Sequence, residues 1–344
     1  MDPQLARRAP KVSLHDHLDG GLRVATVRDL AGRIGHPLPA DDEESLRAWF
    51  FQGGRGADLP RYLEAFDQTV AVLQRADALR RVACEFAEDL ADDGIVHGEV
   101  RYAPELSTAG GLTYDEVIDA ILAGFAEGPA DVEVRLIVCA LRHLDHAAAA
   151  FAAAGRFVDR GVVAVDLAGP EDGFPATAHA AAIGLAREAG LGVTLHAGEA
   201  FGPASVADAL DAGAQRLGHG VRIVEDLGED GAPGPVAARV LSAGIPLEVC
   251  PTSNVHTGVA ADVAGHPIAR LRDAGFRITL NTDNRLMSDV TLTSEALAVH
   301  DAFGWGLAEL EEVTATAVEV AFLPDGERAV LRDRVARGYA ALRP

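Results

Sequence analysis

The sequence predicts an α/β protein, a (β/α)8 TIM barrel with a helical insertion after its first strand. Three observations carry this expectation. Eight short β-rich runs recur along the chain, segments of helical period separate them, and 344 residues suit one large barrel. Alternation of the two periods is the mark of parallel strands joined by crossover helices, and eight parallel strands can close on themselves.

In order, the strands are "KVSLHDH" from Lys11, "IVHGEVRYAP" from Ile95, "VEVRLIVCALR" from Val132, "GVVAVDLAG" from Gly161, "GVTLHAGEA" from Gly192, "RLGHG" from Arg216, "IPLEVCPTSN" from Ile245 and "FRITLNTDN" from Phe276. Between them, Leu79, Val82, Phe86 and Leu90 illustrate the apolar face of one helix, three to four residues apart. No internal repeat or low-complexity linker interrupts the series, so residues 1–344 are expected to form a single domain. The stretch from Arg23 to Gly94 reads as several helices, and "FFQGGRGADLP" inside it as a mobile glycine-rich loop. An insertion after strand one opens on the C-terminal rim, where barrel active sites are built, so residues 23–94 are expected to act as a lid.

Composition narrows the function. A formal charge of −22 repels polyanions and argues against a nucleic-acid partner, leaving a small neutral or cationic ligand. The three cysteines, Cys84, Cys139 and Cys250, lack C-x-x-C spacing and are expected as buried small hydrophobes, without disulfides or a thiolate metal site. The N-terminus "MDPQLARRAP" has no apolar signal region, and no run approaches the ~20 apolar residues that span a bilayer. The reading is a cytoplasmic protein with no membrane partner.

The polar residues then fall at strand ends. In "SLHDHLDGG", His15 and His17 share one face of a strand, since side chains alternate. Paired imidazoles make poor core but a good half of a site for zinc or another divalent transition metal. His196 and Glu199 end strand five, His219 strand six and Asp283 strand eight. Six such residues on four strand ends of one rim are explained together by one metal-dependent site. His97 and Glu99 match the H-x-E half of a zinc-binding signature, but no P-C-x-x-C completes it and the match is taken as chance.

The motifs "LHDHLDGGL", "EVRYAPEL", "VDLAGPE", "TLHAGEA", "RLGHGVRI", "CPTSNVHTG" and "LNTDNRLMS" occur in that order, and with them the chain resembles the adenosine deaminase family of metal-dependent barrel aminohydrolases over nearly its full length. The resemblance implies one Zn2+ per chain held by His15, His17, His196 and Asp283. It implies catalytic roles for Glu199, His219 and Asp283, nucleoside contacts by His17, Asp19, Gly169 and Asn284, and an apolar cover over the purine from Leu59, Tyr62, Leu63 and Phe66. The reaction implied is hydrolytic deamination of adenosine and 2'-deoxyadenosine to inosine and deoxyinosine, with ammonia released, in purine salvage.

The residue chemistry agrees. Three neutral imidazoles and a carboxylate suit zinc with a position left for water, and a protonated Glu199 could protonate purine N1 as C6 is attacked. Binuclear relatives bridge two metals with a strand-four lysine. Lys11 is the only lysine here, and it lies on strand one. Asp19 is expected at a ribose hydroxyl, where a carboxylate disfavours a phosphate. Asn284 departs from the family's usual second aspartate; its amide can donate to purine N7 without taking up a proton. Three alternatives stay open: a deaminase of a larger 6-aminopurine nucleoside such as aminodeoxyfutalosine, a non-catalytic binding protein, and a hydrolase of amides or phosphoesters.

Overall fold

The computed structural model describes residues 1–54 and 59–343, with residues 52–54 and 59–64 described by their backbone alone. Eight parallel strands form one sheet in chain order: β1 (Lys11–His17), β2 (Ile95–Tyr102), β3 (Glu133–Leu141), β4 (Val162–Ala168), β5 (Gly192–Ala197), β6 (Arg216–His219), β7 (Leu247–Val249) and β8 (Ile278–Leu280). This is the expected (β/α)8 barrel, and every predicted strand is present.

Two joints in the wall use side chains where the ladder is thin. β8 returns to β1 through a parallel bridge between Asp16 and Asp283, in which the Asp283 amide donates to His15 O at 3.0 Å and the His17 amide to Asp283 O at 2.8 Å. Beside it, Asn281 Oδ1 accepts from the amides of Leu14 (2.8 Å) and His15 (3.1 Å), and its Nδ2 donates to Thr279 Oγ1 at 2.9 Å. β4 and β5 pair only at Ala164–Gly192 and Val165–Val193. Above that point the His196 amide donates to Asp166 Oδ1 at 3.1 Å, and the Arg142 guanidinium donates to the carbonyls of Leu167 and His196.

The last two strands are shorter than expected. Pro251 cannot donate to a ladder and its fixed φ starts a helix, so Thr252, Ser253 and Asn254 lie in the helix Pro251–His256. β8 stops at Leu280, where the Asn281 side chain takes over the join.

Between β1 and β2 run the helices Val24–Ile34, Glu43–Gly54, Leu59–Val72 and Ala76–Asp92. Leu79, Val82, Phe86 and Leu90 are all buried, as their spacing predicts. The segment "FFQGGRGADLP" is largely helical up to Gly54; residues 55–58 lie outside the described residues. Cys139 and Cys250 are buried, whereas Cys84 is only half-buried on the outer helix Ala76–Asp92. Among the described residues, no helix is long and apolar enough to cross a membrane.

Aliphatic side chains such as Val138, Val165 and Leu195 fill the layer between strands and helices. Inside the barrel the filling is charged. Arg101 on β2 reaches Asp166 on β4 and Glu248 on β7, and Arg216 on β6 pairs with Glu99 on β2 and Glu248, all at 2.7 Å and all fully or almost fully buried. Three of the four pairs join non-adjacent strands, Arg216 with Glu248 being the exception, and such pairs are possible only across the barrel interior.

Asn281→Ala leaves two buried strand amides without an acceptor and is expected to destabilise the protein by about 2–4 kcal/mol. Urea unfolding with an unchanged m-value and a lowered midpoint checks it; an unchanged midpoint would show that the joint carries no load.

Candidate metal centre and active site

The C-terminal rim gathers the predicted residues from four strands. One ligand atom each from His15, His17, His196 and Asp283 lies within 4.8 Å of the others, and Glu199, His219 and Asp283 form an adjoining group by the same measure. His15 Nε2 and His17 Nε2 both stand 3.3 Å from Asp283 Oδ1, and His17 Nε2 stands 3.3 Å from His196 Nε2. His15 Nε2 is buried without a hydrogen-bond partner. An unpaired imidazole nitrogen aimed at two further imidazoles and a carboxylate fits a cation of the transition-metal class.

Electrostatics keep most of the donors ready. Burial, helped by the Arg101 charge, pushes His15 down to about 4, and burial holds His17 well below its ordinary value, so both rings are neutral at pH 7. Burial also acts on His196, but the Asp166 carboxylate, 2.9 Å from its Nδ1, outweighs it and raises that ring. Asp283 is held well below the usual carboxylate range: burial opposes ionisation, and the neighbouring imidazoles of His15, His219 and His17 overcome it.

Beneath the cluster lies a supporting layer that motif reading does not single out. His15 Nδ1 meets Glu248 Oε2 at 2.8 Å, His196 Nδ1 faces Asp166, and Arg101 spans both carboxylates. Such partners fix the ring orientation of metal-ligand histidines. The available signal was charge at inward positions in mid-strand, in "EVRY", "VDLA" and "PLEV".

Glu199 sits in the loop after β5, its Oε2 3.6 Å from His219 Nε2, too far for a hydrogen bond. Burial pushes its carboxyl up; the Asp283 and Glu171 charges add to this, and His219 and His196 oppose it. The loop is clamped by Glu171, another residue missed from sequence, whose Oε2 accepts from the Gly198 amide at 2.7 Å. Its Oε1 accepts from the amides of Glu199 (3.0 Å), Ala200 (2.7 Å) and Phe201 (3.4 Å). From the helix Pro251–His256, Ser253 Oγ donates to Asp283 Oδ2 at 2.6 Å and Asn254 meets His219 Nδ1 at 3.0 Å.

His219 (φ 60°) and Asp283 (φ 64°) both adopt the left-handed backbone that non-glycine residues rarely take. Such strain concentrates at sites where the surrounding structure over-determines it.

The remaining expected residues divide. Asp19 is buried on the turn after β1, its carboxyl pushed up to about 7 chiefly by burial, with the Asp283 and Glu105 charges adding. Asn284 is buried next to Asp283 and packs on Gly20, where an added Cβ would come within 2.0 Å of Asn284 Oδ1. Gly169 follows β4 at φ 93°, beside His143. Phe66 is half-buried against the core, while the side chains of Leu59, Tyr62 and Leu63 lie outside the described residues. His97 and Glu99 are buried, 3.6 Å apart, and neither joins the metal cluster.

Comparison with known proteins follows the same pattern. The adenosine deaminase family profile matches residues 10–338. The adenosine deaminase of Mycobacteroides abscessus is 47% identical over 349 residues, covering 97% of this chain and 96% of that protein. Among solved structures, an amidohydrolase from Burkhoderia ambifaria with bound Zn superposes with a TM-score of 0.84 at 26% identity, over 99% of this chain and 93% of that one. The adenine deaminase of Arthrobacter aurescens gives a TM-score of 0.81 at 26% identity, over 96% and 98%.

Asp166→Asn removes the anion beside His196 Nδ1, and the affinity of the cluster for zinc is expected to fall about 10–100-fold. Chelator competition on the folded variant measures this; wild-type affinity would show that Asp166 serves only the barrel wall.

Proposed function

We propose, since this chain belongs to the adenosine deaminase family, that it hydrolyses adenosine and 2'-deoxyadenosine to inosine and deoxyinosine with release of ammonia. The observation that carries the reading is the adjacency of two groups sharing Asp283: four donors of metal-ligand type, and Glu199 with a carboxyl biased toward its protonated form. An acid at this place is suited to protonating a ring nitrogen, which weighs against an amide or phosphoester hydrolase.

His15, His17, His196 and Asp283 would hold one zinc ion, the metal bound in the Burkhoderia relative. When bound there, zinc supplies Lewis-acid activation of the attacking water. Glu199 donates its proton to purine N1 as negative charge develops on the ring during attack at C6. His219, facing the same space, stabilises the attacking oxygen electrostatically. Asp283 accepts the water's proton and returns it to the amino group, which leaves C6 as ammonia while the C6 hydroxyl gives up its proton to restore Glu199.

Asp19 receives a ribose hydroxyl, and Gly169 approaches the nucleoside where a side chain would intrude. Asn284 donates its amide to N7, which needs no proton uptake. The helices between β1 and β2 cover the pocket, with Phe66 toward the purine. Asp19 favours a nucleoside over the free base, which lacks the hydroxyl, and over a nucleotide, whose phosphate would meet a carboxyl in place of a cation.

Adding adenosine to purified protein should lower the absorbance near the adenosine maximum. Complete chelation should abolish the activity, and about one zinc per chain should restore it. Adenine and AMP should be poor substrates; a kcat/KM for either comparable to that for adenosine would overturn the nucleoside assignment.

Glu199→Gln keeps the shape of the side chain but cannot deliver a proton, so kcat is expected to fall about 10²- to 10⁴-fold with metal content and melting temperature unchanged. Steady-state kinetics on the metal-loaded variant check this; a near-native rate would place the proton donor elsewhere.

A further inference from the structure

Behind His219 runs a line of hydrogen bonds whose direction is set at its far end. The Ile268 amide can only donate, and it lies 3.1 Å from His266 Nδ1. That nitrogen must therefore accept, and the proton of a neutral His266 ring sits on Nε2. Nε2 stands 3.2 Å from Asn254 Oδ1, which accepts it. The amino end of the same amide is thereby turned to His219 Nδ1, 3.0 Å away, where it can only donate.

The three side chains are 3%, 0% and 1% exposed for His266, Asn254 and His219, so solvent offers no ready substitute for any of these partners. A buried donor left unmet is expensive, which makes the alternative arrangements unfavourable. Burial, with the neighbouring His219 ring adding, pushes His266 down to about 4, so its ring is neutral at pH 7 and its Nδ1 stays an acceptor.

We propose that His266 and Asn254 are positioning residues that hold neutral His219 as the tautomer with its proton on Nε2, on the side of Glu199 and the metal cluster. The proposal deepens the deaminase reading and rests on it for the role given to His219. With Nδ1 engaged as an acceptor and Nε2 already protonated, His219 donates a hydrogen bond to the attacking oxygen and has no free nitrogen to take its proton. Asp283 is left to receive it.

The test uses the zinc-loaded full chain labelled with 15N-histidine, with the His219 signals identified by their loss in H219Q. Wild type should show an acceptor-type Nδ1 and a protonated Nε2. In N254D a carboxylate replaces the donor, so the proton should move to Nδ1. There kcat is expected to fall about 10–100-fold, as for other outer-shell partners, at wild-type zinc content. KM should stay within about threefold, the signature of an interaction made in the transition state. H266Q, which still offers a donor to Asn254, should keep the wild-type tautomer, and H266L should lose it.

Protonated Nδ1 in wild type, or protonated Nε2 persisting in N254D, overturns the proposal; if N254D does not fold, H266L decides in its place. The NMR readout does not depend on turnover. A wild-type protein inert toward adenosine whose His219 proton still moves in N254D would refute the deaminase reading and leave the relay standing.

Discussion

Arg101 holds the centre of the molecule together. From β2 it crosses the barrel interior to bond Asp166 on β4 and Glu248 on β7, each at 2.7 Å, and the carbonyl of Leu14 on β1 at 2.8 Å. Each carboxylate in turn faces a histidine of the metal cluster. One guanidinium thus ties three parts of the barrel wall to the orientation of two rings on the rim. The arrangement works because a planar cation with several donors can satisfy two anions at once, which a lysine ammonium cannot do with the same geometry. Removing it would leave two buried carboxylates competing for Arg216 and the histidines, a far larger penalty than losing a surface pair.

The pairing also sets how this centre responds to acid. Burial alone would raise the carboxyls of Asp166 and Glu248, yet both are held well below their ordinary range, Asp166 chiefly by His196 and Arg101 and Glu248 chiefly by Arg101 and Arg216. A carboxyl whose folded-state pKa is depressed adds stability above its unfolded-state pKa of about 4, and that stability is lost as pH falls toward the folded-state value. The charged interior therefore stays intact across the neutral range in which the histidines of the rim must act as neutral donors.

Above this rigid layer, the reacting groups are placed by contacts from outside their own strands. Glu171, after β4, gathers four consecutive amides of the loop that carries Glu199. The helix after β7 supplies Ser253 to Asp283 and Asn254 to His219, and Asp283 and His219 are both held in left-handed backbone. The helix ends up there because Pro251 interrupts the strand, so a proline that shortens β7 also delivers two partners to the site. Strain at His219 and Asp283 is tolerated because these contacts, and the backbone bridge between Asp283 and β1, define their positions several times over.

Periodicity and strand-end chemistry were sufficient to read the barrel, its eight strands, the helices between β1 and β2, and the convergence of His15, His17, His196 and Asp283. Each follows from local rules: alternation places side chains on faces, and parallel strands bring their C-terminal ends to one rim. The supporting residues were not legible in that way. Asp166, Glu248 and Arg101 occupy mid-strand positions where a local rule expects aliphatic filling, and Glu171 looks like one more surface acid after a proline. Their meaning comes from partners far away along the chain, 65 and 147 positions for the Arg101 pairs with Asp166 and Glu248 and 27 to 30 positions for the amides that Glu171 gathers. Only closure of the barrel brings such residues within hydrogen-bond distance, because a charge can be kept in the interior only when folding supplies its counter-charge there.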